Sequence, residues 1–353
     1  MSDILLVYAS FGEGHKIAAI SLEKFLNAPS YDLLDFSSNF VKKFFSYSYI
    51  NITQNMPNLW RLLFYGTKNK RIQKSIEKIN LFLANKFLLY LKKTKPKIII
   101  TTHFFPLYFI AKAKKEFPLK VIAIVTDLAA HPLWVNTCVD RYFVATKQTK
   151  EELISYNVET DKIISGYVPL REGFLEKLNE KNLRKKFFLD DKPCLLFMSS
   201  LRGKFPYLRG SIKKLKDNFN IFIICGRNKK LKNYFSKLKC PSVKLFLKYE
   251  NIWELFYLSS AIITKPGGLT VFEGLYMKKP FIFTSFIPGQ EKENMDFLIK
   301  HGVARFAKSK KQFLNAIDYF AFKNNFFKQN YPIEVRDIRD ILKKNLIQLL
   351  KAK

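Results

Sequence analysis

Residues 4–19, Ile4-Leu-Leu-Val-Tyr-Ala-Ser-Phe-Gly-Glu-Gly-His-Lys-Ile-Ala-Ala19, open the chain on a short apolar run, bend at two glycines and enter a helical pattern. Ile4 to Tyr8 reads as a buried strand, and the glycine turn hands it to a helix. That strand–turn–helix unit recurs outward along the chain. Strands are expected at Tyr31 to Phe36, Ile98 to Thr101, Val121 to Val125 and Arg141 to Val144, with helices between. A second series begins after Lys192: Cys194 to Met198, Ile221 to Cys225, Val243 to Phe246, Ala261 to Thr264 and Pro280 to Phe283. Strands alternating with helices over this length specify an α/β protein with two doubly wound parallel sheets in tandem. The linker is expected near Gly166 to Phe174, where Gly-Tyr-Val-Pro interrupts the pattern, followed by a polar helix from Glu176 to Lys186.

The composition narrows the classes. The 353 residues carry 61 Lys+Arg against 29 Asp+Glu, a formal charge of +32, with 48% apolar and 16% aromatic residues. This excludes a disordered chain or a small disulfide scaffold. Cys138, Cys194, Cys225 and Cys240 are scattered without a CxxC, so neither a zinc site nor a disulfide framework is indicated, and no metal site is expected. The N-terminus lacks the basic start of a secretory signal, and no run approaches the ~18 apolar residues of a membrane span. A cytoplasmic protein is expected. The charge excess calls for an anionic partner, a membrane surface or nucleic acid, unless it is a general Lys, Asn, Ile and Phe bias.

Residues 39–97 break the βα rhythm and carry 13 Lys+Arg against one acidic residue, Glu77. Ile72, Ile76, Ile79, Leu83, Phe87 and Tyr90 recur at steps of three and four, which predicts one helix over residues 70–93, about 36 Å long at 1.5 Å per residue. Upstream, residues 40–49 and 59–65 mix aromatic and basic residues as an interfacial segment does. Docking on an anionic membrane is the functional reading; packing of these faces on the sheet, with solvated lysines, is the bland one. On the first reading, Lys42, Lys43, Lys70, Arg71 and Lys74 carry the docking charge.

Three motifs carry chemistry. In the first, Gly12 and Gly14 turn the chain so that amides face a ligand at a helix N-terminus, and His15 stands in the first helical turn. The dinucleotide fingerprint is incomplete, because Ile17 stands where a third glycine belongs. His15 is available as a neutral base, since a helix N-terminus disfavours its charged form. In the second, Ile263-Thr-Lys-Pro-Gly-Gly-Leu-Thr-Val-Phe-Glu-Gly-Leu275, a strand ends and Gly267 and Gly268 lead into a helix whose free amides suit a diphosphate. Glu273 reads either as a ribose ligand or as a capping glutamate on Thr270. In the third, Phe286-Ile-Pro-Gly-Gln-Glu-Lys-Glu-Asn294, the side chains of Gln290, Glu291 and Asn294 gather at a helix start, as sugar hydroxyls require.

Together with Val125-Thr-Asp-Leu-Ala-Ala-His-Pro-Leu-Trp134, the Gly166-Tyr-Val-Pro linker and Cys225-Gly-Arg-Asn-Lys-Lys-Leu231, these motifs resemble the monogalactosyldiacylglycerol synthase and processive diacylglycerol glucosyltransferase family. That family is a relative of the N-acetylglucosaminyltransferase that forms lipid II. The resemblance spans residues 3–307. It implies a GT-B fold with an acceptor and membrane-docking domain at residues 1–168, a nucleotide-sugar domain at 169–332, and a C-terminal helix at 333–353 returning to the first domain.

Carried onto matching positions, the resemblance makes His15 the general base. Gly267, Gly268, Leu269 and Thr270 hold the diphosphate, Glu273 the ribose, Gln290 and Glu291 the hexose, and Asn294 supports their loop. Gly12, Gly14, Asp127, His131 and His103 fall on the acceptor side, although Asp127 and His131 also read as structural turn residues. Two departures stand out. The loop after Cys194 to Met198 lacks the family's glycines and offers Ser199, Ser200 and Arg202 instead, and Glu13 places a negative charge between the first glycines.

The implied reaction is inverting transfer of glucose or galactose from a UDP-sugar, a co-substrate, to diacylglycerol at the inner face of the cell membrane. No cofactor, metal or nucleic acid enters. A polyprenyl-linked acceptor, an epimerase without acceptor, a non-catalytic UDP-sugar binder and a nucleic-acid-binding protein are the alternatives.

Overall fold

A computed structural model describes residues 3–38, 42, 47, 51–53, 55–67, 85–198, 205, 207–226, 228–322 and 330–351. The first sheet is six-stranded and parallel: β1 (Ile4–Tyr8), β2 (Ser30–Asp32), β3 (Ile98–Thr101), β4 (Lys120–Ile124), β5 (Arg141–Val144) and β6 (Ile163–Ser165), in the order β2-β1-β3-β4-β5-β6. After the two-residue β7 (Tyr167–Val168) comes a second parallel sheet. It comprises β8 (Cys194–Met198), β9 (Asn220–Ile224), β10 (Val243–Phe246), β11 (Ser259–Thr264), β12 (Phe281–Phe283) and β13 (Ala304–Phe306), in the order β10-β9-β8-β11-β12-β13.

Helices α1 (Glu13–Leu26), α2 (Pro57–Gly66), α3 (Asn85–Thr94), α4 (Leu107–Ala113) and α5 (Lys147–Ser155) belong to the first half. The second carries α6 (Glu180–Lys186), α7 (Leu208–Asn218), α8 (Lys229–Ser236), α9 (Ile252–Leu258), α10 (Gly268–Tyr276), α11 (Gln290–Lys300) and α12 (Lys310–Phe322). A final strand, β14 (Arg336–Asp337), pairs with β7 and leads into α13 (Arg339–Lys351).

The strands read as continuous apolar runs because helices cover both faces of each parallel sheet. In the first sheet the two faces alternate. Leu5, Val7, Ile99 and Val121 meet Phe87 and Leu91 of α3, whereas Leu6, Ile98, Ile100 and Ile122 meet Leu22 of α1. Onto that second face α13 lays Leu342, Leu346 and Leu349 at steps of four and three, with Ile338 just before it. Each such burial contributes about 1.5–3 kcal/mol. The C-terminal helix therefore completes the core of the first half, as its expected return requires.

The chain passes between cores twice. Ile163 packs in the first half, while Val168, Leu170 and Phe174 join the second; on the return, Val335 belongs to the second and Ile338 to the first. Arg339 ties both crossings together, donating to the carbonyls of Ser21 and Leu170 while its other Nη pairs with Asp337 at 2.7 Å.

Several boundaries differ from the expectation. The strand at Tyr31 stops at Asp32, because the Asp32 carboxylate accepts the Leu34 N–H at 3.0 Å and turns Leu33 to Phe36 into a 3-10 helix. The helix expected from Glu176 begins at Glu180, where Asn179 caps the Asn182 N–H at 3.0 Å. β6, β7, β13 and β14 are too short, at two or three residues, for periodicity to reveal. Of the helix expected over residues 70–93, the part from Asn85 is helical, and residues 70–84 lie outside the described residues. Among the described residues no helix is long and apolar enough to cross a membrane.

Candidate active site

Both sheets point the carboxyl ends of their strands into one cleft, the position where doubly wound folds hold ligands. The order reverses between β1 and β3 in one sheet and between β8 and β11 in the other, and the motif residues follow these strands. Among the described residues, three helix N-termini converge there without side-chain caps: α1 after Gly12, α10 after Gly267 and α11 after Gly289. Each leaves first-turn amides and the positive end of its dipole to an incoming anion.

His15 is half-buried in the first turn of α1. Its Nδ1 lies 3.0 Å from the Thr102 carbonyl oxygen and 2.8 Å from Thr126 Oγ1. A carbonyl only accepts, so Nδ1 carries the proton and Nε2 keeps the lone pair. Among the described residues Nε2 has no hydrogen-bond partner. The Thr102 hydroxyl donates back to the His15 carbonyl at 2.8 Å, which fixes the helix start on β3. Burial pushes the His15 pKa down to about 4, and the bond to Thr102 opposes the shift. The imidazole is neutral at pH 7.

His103 stands edge-to-face against His15 with ring centroids 4.5 Å apart. Its Nδ1 accepts the Phe105 N–H at 3.0 Å, and burial, with His15 beside it, holds its pKa well below the usual range. His131 is engaged at both nitrogens. Nδ1 accepts the Leu133 N–H at 3.2 Å, which leaves Nε2–H to donate to the Phe64 carbonyl at 3.1 Å. It holds the C-terminal turn of α2, the structural role that its place before Pro132 also offered.

The glycine turns work differently from the sequence reading. Gly12 and Gly267 are extended, and it is Gly268 whose lack of a side chain matters: a Cβ there would stand 1.9 Å from the Thr126 carbonyl oxygen and 3.0 Å from Asp127 Oδ1. The start of α10 thus lies on the end of β4, across the cleft. Beside it, a Cβ on Gly14 would lie 3.7 Å from Leu269 Cβ, so the two glycine motifs touch.

Asn294 is the polar link between the halves. Fully buried, it donates to Asp127 Oδ1 and to the Pro266 carbonyl, each at 3.1 Å, and accepts the Leu128 N–H at 2.8 Å. Asp127 is raised to about 6 by burial, against the bond from Asn294; Glu291 adds to the rise and Lys265 opposes it.

Glu273 caps nothing. Buried completely, it takes a bidentate pair from Arg171, Nε to Oε1 at 2.6 Å and Nη2 to Oε2 at 2.7 Å. Burial raises its pKa, and the guanidinium pulls the other way. The capping alternative at Thr270 is overturned. Glu291 braces its own loop, accepting the Ile287 N–H at 2.8 Å and pairing with Lys265. Gln290 has a buried amide oxygen with no hydrogen-bond partner among the described residues. Leaving such an acceptor unmet costs about 1–3 kcal/mol, which a ligand hydroxyl relieves. Ser199, Ser200 and Arg202 lie outside the described residues, as do Lys43, Lys70, Arg71 and Lys74.

Sequence reasoning missed Thr102, Thr126, Arg171 and Phe64. A charged residue after the Val-Pro of the linker was the available signal for Arg171; nothing local marks Phe64.

Two doubly wound sheets, with uncapped helix starts facing a shared cleft, define a GT-B protein. The same fold is seen in UDP-GlcNAc 2-epimerase from Neisseria meningitidis bound to UDP-GlcNAc, with a TM-score of 0.60 and 15% identity over 98% of this chain and 99% of that one. MurG of Acinetobacter baumannii gives a TM-score of 0.57 at 15% identity, over 98% and 99%. The family model for monogalactosyldiacylglycerol (MGDG) synthase matches residues 15–168. The processive diacylglycerol β-glucosyltransferase of Bacillus mycoides is 30% identical over 319 residues, 85% of this chain and 81% of the relative; that of Bacillus cereus is 31% identical over the same shares. The chain belongs to this family of monogalactosyldiacylglycerol synthases and processive diacylglycerol β-glucosyltransferases.

Proposed function

We propose that the protein transfers a hexose, glucose or galactose, from a UDP-sugar to the hydroxyl of diacylglycerol at an anionic membrane surface, inverting the anomeric centre to give a β-glycolipid. The observation that carries this reading is His15, with Nδ1–H held by the Thr102 carbonyl and Nε2 open, beside the bare start of α10. The acceptor hydroxyl gives its proton to Nε2 as its oxygen bonds to the anomeric carbon. The bond from that carbon to the diphosphate breaks, and UDP leaves with the electron pair. The amides of Gly268, Leu269 and Thr270 receive the growing charge. Burial holds its pKa near 4; a bound diphosphate favours the imidazolium and raises it, so the base strengthens when the donor arrives.

Gln290 reads a hexose hydroxyl through its unmet amide oxygen, and Glu291 and Asn294 hold the loop that presents it. The ribose role that the family resemblance assigns to Glu273 requires its carboxylate, held by Arg171, to be uncovered to the donor. The scheme uses no cofactor. Residues 1–168 serve acceptor and membrane, and 169–332 the donor.

Docking at the inner face of the membrane rests on α2, whose Leu59, Leu62 and Tyr65 are exposed at steps of three beside exposed Arg61, and on the basic segment around it. Mass spectrometry of lipids formed from UDP-glucose or UDP-galactose on diacylglycerol liposomes tests the reading. Glycolipid from wild type and none from His15→Ala supports it; no product from either donor sinks it.

A further inference from the structure

Helix α2 has two faces that do different things. Its outer stripe leaves Leu62 70% exposed, while four residues from Trp60, on the inner side, Phe64 is only 8% exposed. What covers Phe64 comes from the other half of the molecule. A Cβ built on Gly289 would fall 2.8 Å from Phe64 Cγ and 2.9 and 3.0 Å from its two Cδ atoms, so the ring face lies flat on the bare glycine. Gly289 has φ +98, a conformation that side chains avoid, and it immediately precedes Gln290. The ring also packs, tilted, on His131 at 4.6 Å between centroids, and His131 donates to the Phe64 carbonyl. Phe64 is thereby clamped between the acceptor-side loop and the turn that aims Gln290.

From this geometry we infer that Phe64 is a positioning residue for the hexose-reading turn and couples docking of α2 on a lipid surface to recognition of the donor sugar. The inference rests on the function proposed above. A bilayer that buries Leu59, Leu62 and Tyr65 holds α2 in place, and α2 holds Phe64 on Gly289. The Gln290 amide oxygen then stays where a sugar hydroxyl meets it. Linkage requires the reverse effect, so that a bound UDP-hexose tightens the hold on the vesicle by the same factor. UDP alone, lacking the hexose, does not reach Gln290 and is not coupled.

The test uses the full chain with phosphatidylglycerol vesicles free of diacylglycerol, so that no transfer occurs. Affinities for UDP-glucose, UDP-galactose and UDP are measured with and without vesicles. For wild type, vesicles are expected to raise affinity for the preferred UDP-hexose about fivefold or more and to leave UDP unchanged. In Phe64→Ala the enhancement falls to about one while UDP affinity stays as in wild type, and Phe64→Leu restores part of it by refilling the contact. Leu62→Ser, altered only on the exposed stripe, shifts the enhancement to higher vesicle concentration. Equal enhancement in wild type and Phe64→Ala, or none in a wild type that binds both vesicles and UDP-hexose, overturns the coupling alone. A wild type that binds neither overturns it together with the proposed function.

Discussion

The carbonyl oxygen of Thr126 and the α-carbon of Gly268, from opposite halves of the molecule, approach so closely that a Cβ on Gly268 would stand 1.9 Å from that oxygen. Both atoms belong to backbone, Thr126 just past β4 and Gly268 at the first turn of α10, so no side-chain rotation relieves the overlap. Gly268→Ala should therefore force the halves apart and lower UDP affinity by about tenfold or more, while each sheet stays folded. Isothermal titration with UDP, with far-ultraviolet circular dichroism alongside, checks both parts.

Removing the proposed base separates chemistry from binding. His15→Ala should cut kcat about 100- to 10,000-fold with UDP affinity nearly unchanged. In wild type, kcat/KM should be flat around neutrality and fall only as acid approaches the depressed pKa of about 4. The same shift bears on stability. The unfolded chain binds the proton first, so the contribution of His15 is complete above about pH 6.5 and is lost as pH falls toward 4.

Asp127 has the opposite sign. Raised to about 6 in the fold from 3.8, it binds its proton more tightly folded than unfolded. Its charged form is therefore a liability above pH 6 that disappears below 4. Asp127→Asn should raise Tm at pH 7.5 by more than at pH 4.5, measured by differential scanning calorimetry.

Half-buried Arg171 and fully buried Glu273 form an ion pair between the linker and α10. Arg171→Ala strands the carboxylate and should cost about 3–5 kcal/mol in urea denaturation, and adding Glu273→Gln should recover most of it. A single change as costly as the double one would mean that Arg171 acts through packing on Phe174, 5.4 Å from its guanidinium, and not through charge.

For the membrane, changing Lys42, Lys43, Lys70, Arg71 and Lys74 to Gln should weaken phosphatidylglycerol vesicle binding by about 1 kcal/mol for each residue near the surface. Five Lys→Gln changes in the second half should do far less. Vesicle sedimentation at low and physiological salt measures the difference.

The longer strands and the alternation of strands with helices were legible, because a strand covered on both faces is an apolar run wherever it stands in the chain, whereas β6, β7, β13 and β14 were too short to show one. Ile98 to Thr101, Cys194 to Met198 and Phe281 to Phe283 need no partner to be recognised. The motif residues were legible for a similar reason, since turn, helix start and side chain are neighbours in sequence. His15 beside Gly14 and Gln290 after Gly289 arrive at the cleft as their strands dictate.

Contact partners obey no such rule. Glu273 could not reveal Arg171, 102 positions earlier, nor Asn294 its bond to Asp127, 167 positions away. Gly268 read as part of a diphosphate-binding turn, and nothing beside it showed that it must also lie bare against Thr126; His131 left a ligand and a structural reading open, and nothing near it named Phe64 as the carbonyl it holds. The sequence by itself determined the elements, the two-sheet plan and the residue types brought to the cleft, because local periodicity encodes which side of an element is buried. Only the tertiary structure decided what buries it, since the partner depends on how surfaces distant in the chain dock, and docking turned Phe64 from one aromatic among many into the contact beneath Gly289.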